Sequence, residues 1–148
     1  MEVAMAADLT VAAADARLGQ PEVLVGVFPP VAAALLPAEI GPKNALDLVL
    51  TGRTLSGEEA YRLGVTQRCV PADKLLDEGR ALARHLAGLS RPVLVATKRA
   101  VRQACGRDFP AALHQAEHVY DHDLMKSHDA HEGLAAFLEK RKPVWRHV

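Results

Sequence analysis

The sequence predicts an α/β fold in which the strands are confined to residues 1–70, while residues 71–148 form an all-helical region. Three observations predict it. Before Pro71, short apolar runs alternate with Gly and Pro turn formers. After Pro71, apolar residues recur at helical spacing with charges between them, as at Leu75, Leu76, Leu82, Ala83 and Leu86. The composition, 49% hydrophobic over 148 residues with only 4% aromatic, suits a single packed core of Ala, Leu and Val.

The elements follow in chain order. Glu2 to Ala7 reads as the first turns of a helix, with an acidic residue where the helix dipole favours one. Leu9 to Ala13 is a short strand, followed by a turn at Ala14-Asp15. Gly19 and Pro21 force a bend, after which Val23 to Val27 reads as a buried strand ended by Phe28-Pro29-Pro30. Val31 to Leu36 is a short apolar run stopped by Pro37. Asn44 to Leu50 is helical, with Gly52 as its C′ residue. Ser56-Gly-Glu-Glu59 is a capping box, opening a helix that Gly64 closes before a strand from Val65 to Val70. Four helices complete the chain: Lys74 to Gly88, Ser90 to about Cys105, Met125 back to an Asp108 N-cap, and Ala130 to Lys140.

Charge and cysteine content exclude several classes. The 18 basic and 18 acidic side chains cancel, leaving no electrostatic footprint for nucleic acid or a membrane surface. No apolar run reaches the length of a membrane-spanning helix, and Met-Glu-Val-Ala lacks the basic start of a signal peptide. Cys69 and Cys105 are isolated, which fits reduced thiols in a cytoplasmic protein.

The stretch from Leu18 to Pro30 holds one carboxylate, Glu22, in an otherwise apolar segment. Residue chemistry alone leaves two readings open. Glu22 is a loop carboxylate facing solvent, or a partly desolvated one whose pKa rises toward the range useful for proton transfer.

The wording around it carries more. Glu2-Val-Ala-Met-Ala-Ala-Asp8 and Ala16-Arg-Leu-Gly-Gln-Pro-Glu22, then Leu50-Thr-Gly-Arg53, Glu59-Ala60, Leu63-Gly64-Val65, Val70-Pro71, Glu132-Gly133 and Ala136-Phe-Leu-Glu-Lys-Arg-Lys-Pro143, resemble the crotonase (enoyl-CoA hydratase/isomerase) superfamily in order and nearly end to end. The family's pattern has a run of glycines before the position of Glu2, where this chain reads only Met1. The sequence therefore looks like the C-terminal half of a crotonase. The resemblance implies part of a spiral ββα core followed by helices that pack subunits into trimers or hexamers. It implies an acyl-CoA thioester as substrate and no cofactor beyond the CoA that the substrate carries.

By the same resemblance, Glu2 and Glu22 are the catalytic pair. Hydration of an α,β-unsaturated thioester needs one group to deprotonate the attacking water and another to deliver a proton to the α-carbon. Glu2 would do the first and Glu22 the second. Isomerases of the family generally rely on the carboxylate matching Glu22 alone, so the pair favours a hydratase, with an isomerase as the alternative. The family's oxyanion-hole amides lie in the glycine run and further upstream, so the chain by itself is expected to lack them, and one such donor is worth ~10²–10³ in rate.

Three further positions stand out. Phe28-Pro29-Pro30 replaces the Pro-Gly of many hydratases and resembles cyclohexa-1,5-diene-1-carbonyl-CoA hydratases. Phe28 and Pro29 would wall a slot for a flat ring, or Pro-Pro merely stiffens the loop. Lys140-Arg-Lys142 is a basic cluster after an amphipathic helix; by the family resemblance Lys140 would meet the CoA nucleotide, often across a subunit interface, or it belongs to a solvated helix end. His114, His118 and His122 fall at i, i+4, i+8 on one helix face, but no cysteine or carboxylate pattern completes a site, and no metal is expected. A catalytically incompetent truncated unit that folds and oligomerises through its helices is the competing expectation. On either reading, open strand edges and apolar faces predict a self-associating or only marginally stable chain.

Overall fold

The computed structural model describes all 148 residues and divides into two compact units, Met1–Leu82 and Ala83–Val148. All strands lie in the first unit, and everything after Val70 is helix, turn or extended tail.

The first unit begins with α1 (Glu2–Ala6), β1 (Val11–Ala13) and β2 (Arg17–Gly19). A 3-10 turn (Glu22–Val25) leads to α2 (Pro30–Ile40) and α3 (Pro42–Thr51), then β3 (Thr54–Ser56), α4 (Gly57–Leu63) and β4 (Arg68–Val70). β1 pairs in parallel with β4, Val11 opposite Arg68 and Ala13 opposite Val70. β2 pairs antiparallel with β3, Arg17 opposite Ser56 and Gly19 opposite Thr54. The core comprises Met5, Ala32, Leu36, Ile40, Ala45, Leu48, Leu55, Ala60 and Val65. The expected capping box is complete: Ser56 Oγ accepts from the Glu59 amide at 3.1 Å, and the Glu59 carboxylate accepts from the Ser56 amide at 2.9 Å. Gly57 is required here, because a Cβ would lie 1.8 Å from the Ala13 carbonyl oxygen.

Besides small shifts of element ends, three expected elements of this unit differ. Val23 to Val27 is not a buried strand. Pro21 and left-handed Gly26 (φ 83°) enclose a single 3-10 turn, and Leu24, Val25 and Val27 are exposed. A β-branched run so short, with turn formers at both ends, folds back on itself before it can reach a ladder. Pro37 does not stop the helix that Val31 to Leu36 begins. α2 starts at Pro30, whose fixed φ suits a first helical position. It continues to Ile40 because Ala32, Leu36 and Ile40 recur every fourth residue on the core while Pro37 faces out. Interior proline costs ~3 kcal/mol, and burying two such aliphatic side chains offsets that. The strand after Gly64 is only Arg68–Val70, since Val65 and Thr66 are turned into the interior instead.

α5 (Leu75–Ala87) contains the division between the units, and Arg68 of β4 pairs with Glu78 on it. The second unit continues with α6 (Arg91–Ala104), α7 (Phe109–His122), a 3-10 turn (Leu124–Lys126) and α8 (His128–Leu138). Asp108 caps α7 by accepting from the Ala111 amide at 2.9 Å. α7 ends at His122 rather than reaching Met125, and α8 starts before Ala130 because Ser127 Oγ accepts from the Ala130 amide at 3.2 Å. The tail after α8 is tied back to it: the Asp129 carboxylate accepts from the Arg146 and His147 amides at 2.8 and 3.0 Å. Glu132 Oε1 accepts from the Val144 amide at 2.8 Å, and the Trp145 ring lies against Gly133.

Candidate active site

Glu22 is placed by the elements on either side of it. β2 ends at Gly19, held close to Thr54 of β3. Gln20 then turns inward and is 2% exposed, Pro21 bends the chain, and Glu22 becomes the first residue of the 3-10 turn. The residue as a whole is half-buried. With the Gln20 amide nitrogen facing it, the orientation that its neighbours require, Gln20 donates to Glu22 Oε1 at 2.9 Å and Oε2 at 3.2 Å. A buried neutral amide thus fixes the carboxylate while leaving lone pairs free to take or return a proton.

The turn itself rests on the end of α3. Gly52 there has φ 65°, and a Cβ on it would lie 3.0 Å from Leu24 Cγ and 3.2 Å from Val23 Cγ1. Sequence reasoning saw Gly52 only as a helix C′ residue. It also provides the gap into which the Glu22 turn packs. The role of Gln20 was missed because nothing in the sequence says that this amide is buried.

Glu2 occupies the first position of α1 and is half-buried, with no side-chain hydrogen bond or ion pair. α1 is anchored by Met5 in the core and by Thr10, whose hydroxyl donates to the Ala4 carbonyl at 3.0 Å. Glu2 and Glu22 thus belong to one unit: α1 rests on α2, the Glu22 turn rests on α3, and α2 and α3 share the core. Phe28 lies in the loop after the turn and is 70% exposed, among Leu24, Val25 and Val27, which are exposed as well. Pro29 is fully buried beneath α2's first turn, so of that pair only the Phe28 ring is on the surface.

Lys140 belongs to the second unit, is exposed, and follows α8 with φ 53°. On α7 the His118 and His122 rings stack, with centroids 4.3 Å apart and planes 13° from parallel. No group of three or more His, Cys, Asp or Glu side chains is placed to hold a metal ion. Cys69 and Cys105 are both free thiols. No helix is long and apolar enough to cross a membrane.

The chain matches the family model described as enoyl-CoA hydratase/isomerase over residues 1–147. It is 41% identical over 150 residues to the cyclohexa-1,5-dienecarbonyl-CoA hydratase of Thauera aromatica, covering 98% of this chain and 56% of that protein. It is 40% identical over 147 residues to the probable enoyl-CoA hydratase echA8 of Mycobacterium bovis, covering 99% of this chain and 57% of that one. Among solved structures, an enoyl-CoA hydratase subunit I of Geobacillus kaustophilus superposes with a TM-score of 0.94 at 37% identity, covering 99% of this chain and 57% of that chain. The chain therefore spans a little over half the length of the relatives it matches.

Proposed function

The chain belongs to the enoyl-CoA hydratase/isomerase family, and from that premise we propose that it serves an acyl-CoA-processing enzyme that adds water to an α,β-unsaturated acyl-CoA thioester. The observation that carries the proposal is half-buried Glu22, its carboxylate fixed by the buried Gln20 amide on a turn seated against α3.

In the proposed step Glu2 accepts a proton from water as the water oxygen bonds to the β-carbon. Electron density moves toward the thioester carbonyl, and Glu22 delivers a proton to the α-carbon. The proton gained by Glu2 and the one lost by Glu22 balance over the cycle, so no cofactor is consumed. CoA enters only as part of the substrate. The exposed Phe28 ring suits a flat cyclic acyl group, as the likeness to the Thauera aromatica enzyme also suggests. Taken by itself in the helical unit, exposed Lys140 is a cation suited to a CoA phosphate, of its own or a neighbouring subunit's substrate.

Self-assembly belongs to the same proposal. Phe109, Phe137 and Leu138 of the helical unit are 76%, 80% and 79% exposed, more apolar surface than solvated helices usually show. A homo-oligomer, trimer or hexamer, would cover it. Light scattering on a sizing column would read a multiple of the 15.9 kDa chain mass, and a monomer at micromolar concentration would refute assembly. The free cysteines agree with a cytoplasmic setting.

The decisive assay follows loss of enoyl-thioester absorbance with crotonyl-CoA and with cyclohexa-1,5-diene-1-carbonyl-CoA, on this chain extended upstream by the segment that supplies the oxyanion-hole amides. Turnover that Glu22→Gln abolishes is expected. A Glu22→Gln variant as active as the parent, or no consumption of either thioester, would end the hydratase reading.

A further inference from the structure

Two non-glycine residues adopt left-handed backbone angles, Lys140 (φ 53°) and His147 (φ 62°), and both lie after α8. Lysine at such a position is strained, and glycine is the usual occupant of a helix C′ site. Strain of this kind persists only where the surroundings over-determine it, and it collects at functional positions.

What holds Lys140 there is explicit. Its amide donates to the Phe137 carbonyl at 3.2 Å, and the Arg141 amide donates to the Ala136 carbonyl at 3.0 Å, the two bonds of a Schellman motif. The Arg141 guanidinium then grips α8 from outside the turn. Its Nη1 and Nη2 donate to Glu132 Oε1 and Oε2 at 2.6 and 2.9 Å, and its Nε donates to Glu139 Oε2 at 2.6 Å. Glu132 is the less exposed partner and is itself bonded by the Val144 amide, so the fork is anchored on both sides. Arg141 is thereby engaged with two carboxylates, while the Lys140 ammonium, one residue earlier, makes no hydrogen bond or ion pair and stays exposed.

We propose that Glu132 and Arg141 are positioning residues that force Lys140 into its left-handed turn and so present an unpaired ammonium to a phosphate of the CoA nucleotide. This rests on the reading that Lys140 meets that nucleotide. Arg141 itself does not bind phosphate, because its donors are committed to Glu132 and Glu139.

The test compares equilibrium binding of CoA with that of pantetheine, which lacks the nucleotide and its phosphates, by calorimetry on the full chain at low ionic strength. No turnover is needed, so the outcome is independent of the hydration assay. The wild type should prefer CoA, with a preference that shrinks as salt is added. Glu132→Gln should lower CoA affinity by ~3- to 10-fold and leave pantetheine binding unchanged. Lys140→Gly keeps the entire clamp and removes the strain. It should lose the CoA preference while raising Tm by about 3 °C, a combination that a purely structural lysine would not produce. Lys140→Arg should restore the preference. A wild type that binds both ligands equally would overturn the nucleotide reading. A CoA preference that survives Glu132→Gln, or a lower Tm in Lys140→Gly, would overturn the positioning role alone.

Discussion

The Ser90 hydroxyl donates to Asp129 Oδ2 at 2.7 Å, joining the residue before α6 to the second residue of α8. Asp129 is fully buried and Ser90 is 2% exposed. The same carboxylate accepts from the Arg146 and His147 amides, and His128 Nδ1 lies 3.4 Å from its other oxygen. One buried side chain therefore ties together the start of two helices and the tail. Ser90 stands where a helix cap is expected but spends its hydroxyl on Asp129, with no cap bond of its own.

Ser90→Ala should remove a donor from a buried acceptor and lower stability by about 1–3 kcal/mol. Urea unfolding followed by circular dichroism checks it. Asp129→Asn should destabilise more, because it replaces an acceptor serving several donors with a group that must also donate. A smaller effect than that of Ser90→Ala would contradict the clip.

Acid should loosen the second unit. Burial works to raise the Asp129 pKa, but the hydrogen bonds from Ser90, the Arg146 and His147 amides and His128 outweigh it and bring it down to about 2. The Arg141 guanidinium, with the Val144 amide, holds the Glu132 carboxyl at about 2. Both groups have folded values below their ordinary values of 3.8 and 4.5. Their stabilisation is therefore complete above the ordinary values and is lost as pH falls toward the folded ones. Tm should fall steeply as pH drops from the ordinary values toward about 2, and the Glu132→Gln variant should show a shallower fall. Scanning calorimetry across that range reads both.

If the proposed hydration holds, Gln20→Ala should lower kcat by ~10- to 100-fold by freeing the Glu22 carboxylate from its fixed orientation. Tm should move little compared with kcat. Gln20→Glu should be worse, since it sets a second negative charge beside Glu22. Equal losses of kcat and Tm in Gln20→Ala would mean that the amide is only structural.

Gly52→Ala should cost about 1 kcal/mol from its left-handed backbone. Because its Cβ would meet Leu24 and Val23, it should also displace the turn that carries Glu22. Activity should fall further than stability explains. Ala45→Gly, on the buried face of the same helix, serves as a control for stability loss alone.

Pro37→Ala should raise stability by about 1–3 kcal/mol, since Pro37 is exposed inside α2 and lacks the amide proton that would bond the Ala33 carbonyl. Thermal unfolding of the pair of proteins decides it.

Much of this was legible before any coordinates. The capping box at Ser56 and Glu59, the C′ glycines 52 and 64, the Asp108 cap and the strand-free second half all follow from local rules, because each depends on residues within one turn of one another. The family was legible in an ordered set of short motifs. Val23 to Val27 misled because β-branched composition records a preference for a half-buried surface, and nothing local says whether such a surface exists. Pro37 misled for the converse reason: the stripe of Ala32, Leu36 and Ile40 meets a core that the proline rule does not see.

By itself, then, the sequence determined the α/β class, the caps and turns, the family, and which carboxylates to consider. Only the tertiary structure decided that Gln20 holds Glu22, that Gly52 makes room for its turn, that Pro29 is buried while Phe28 is not, and that Asp129 and Glu132 strap down the tail. The physical reason is range. Backbone conformation and capping are settled by neighbours a few bonds away, whereas burial and buried hydrogen bonds arise only where distant segments exclude water together.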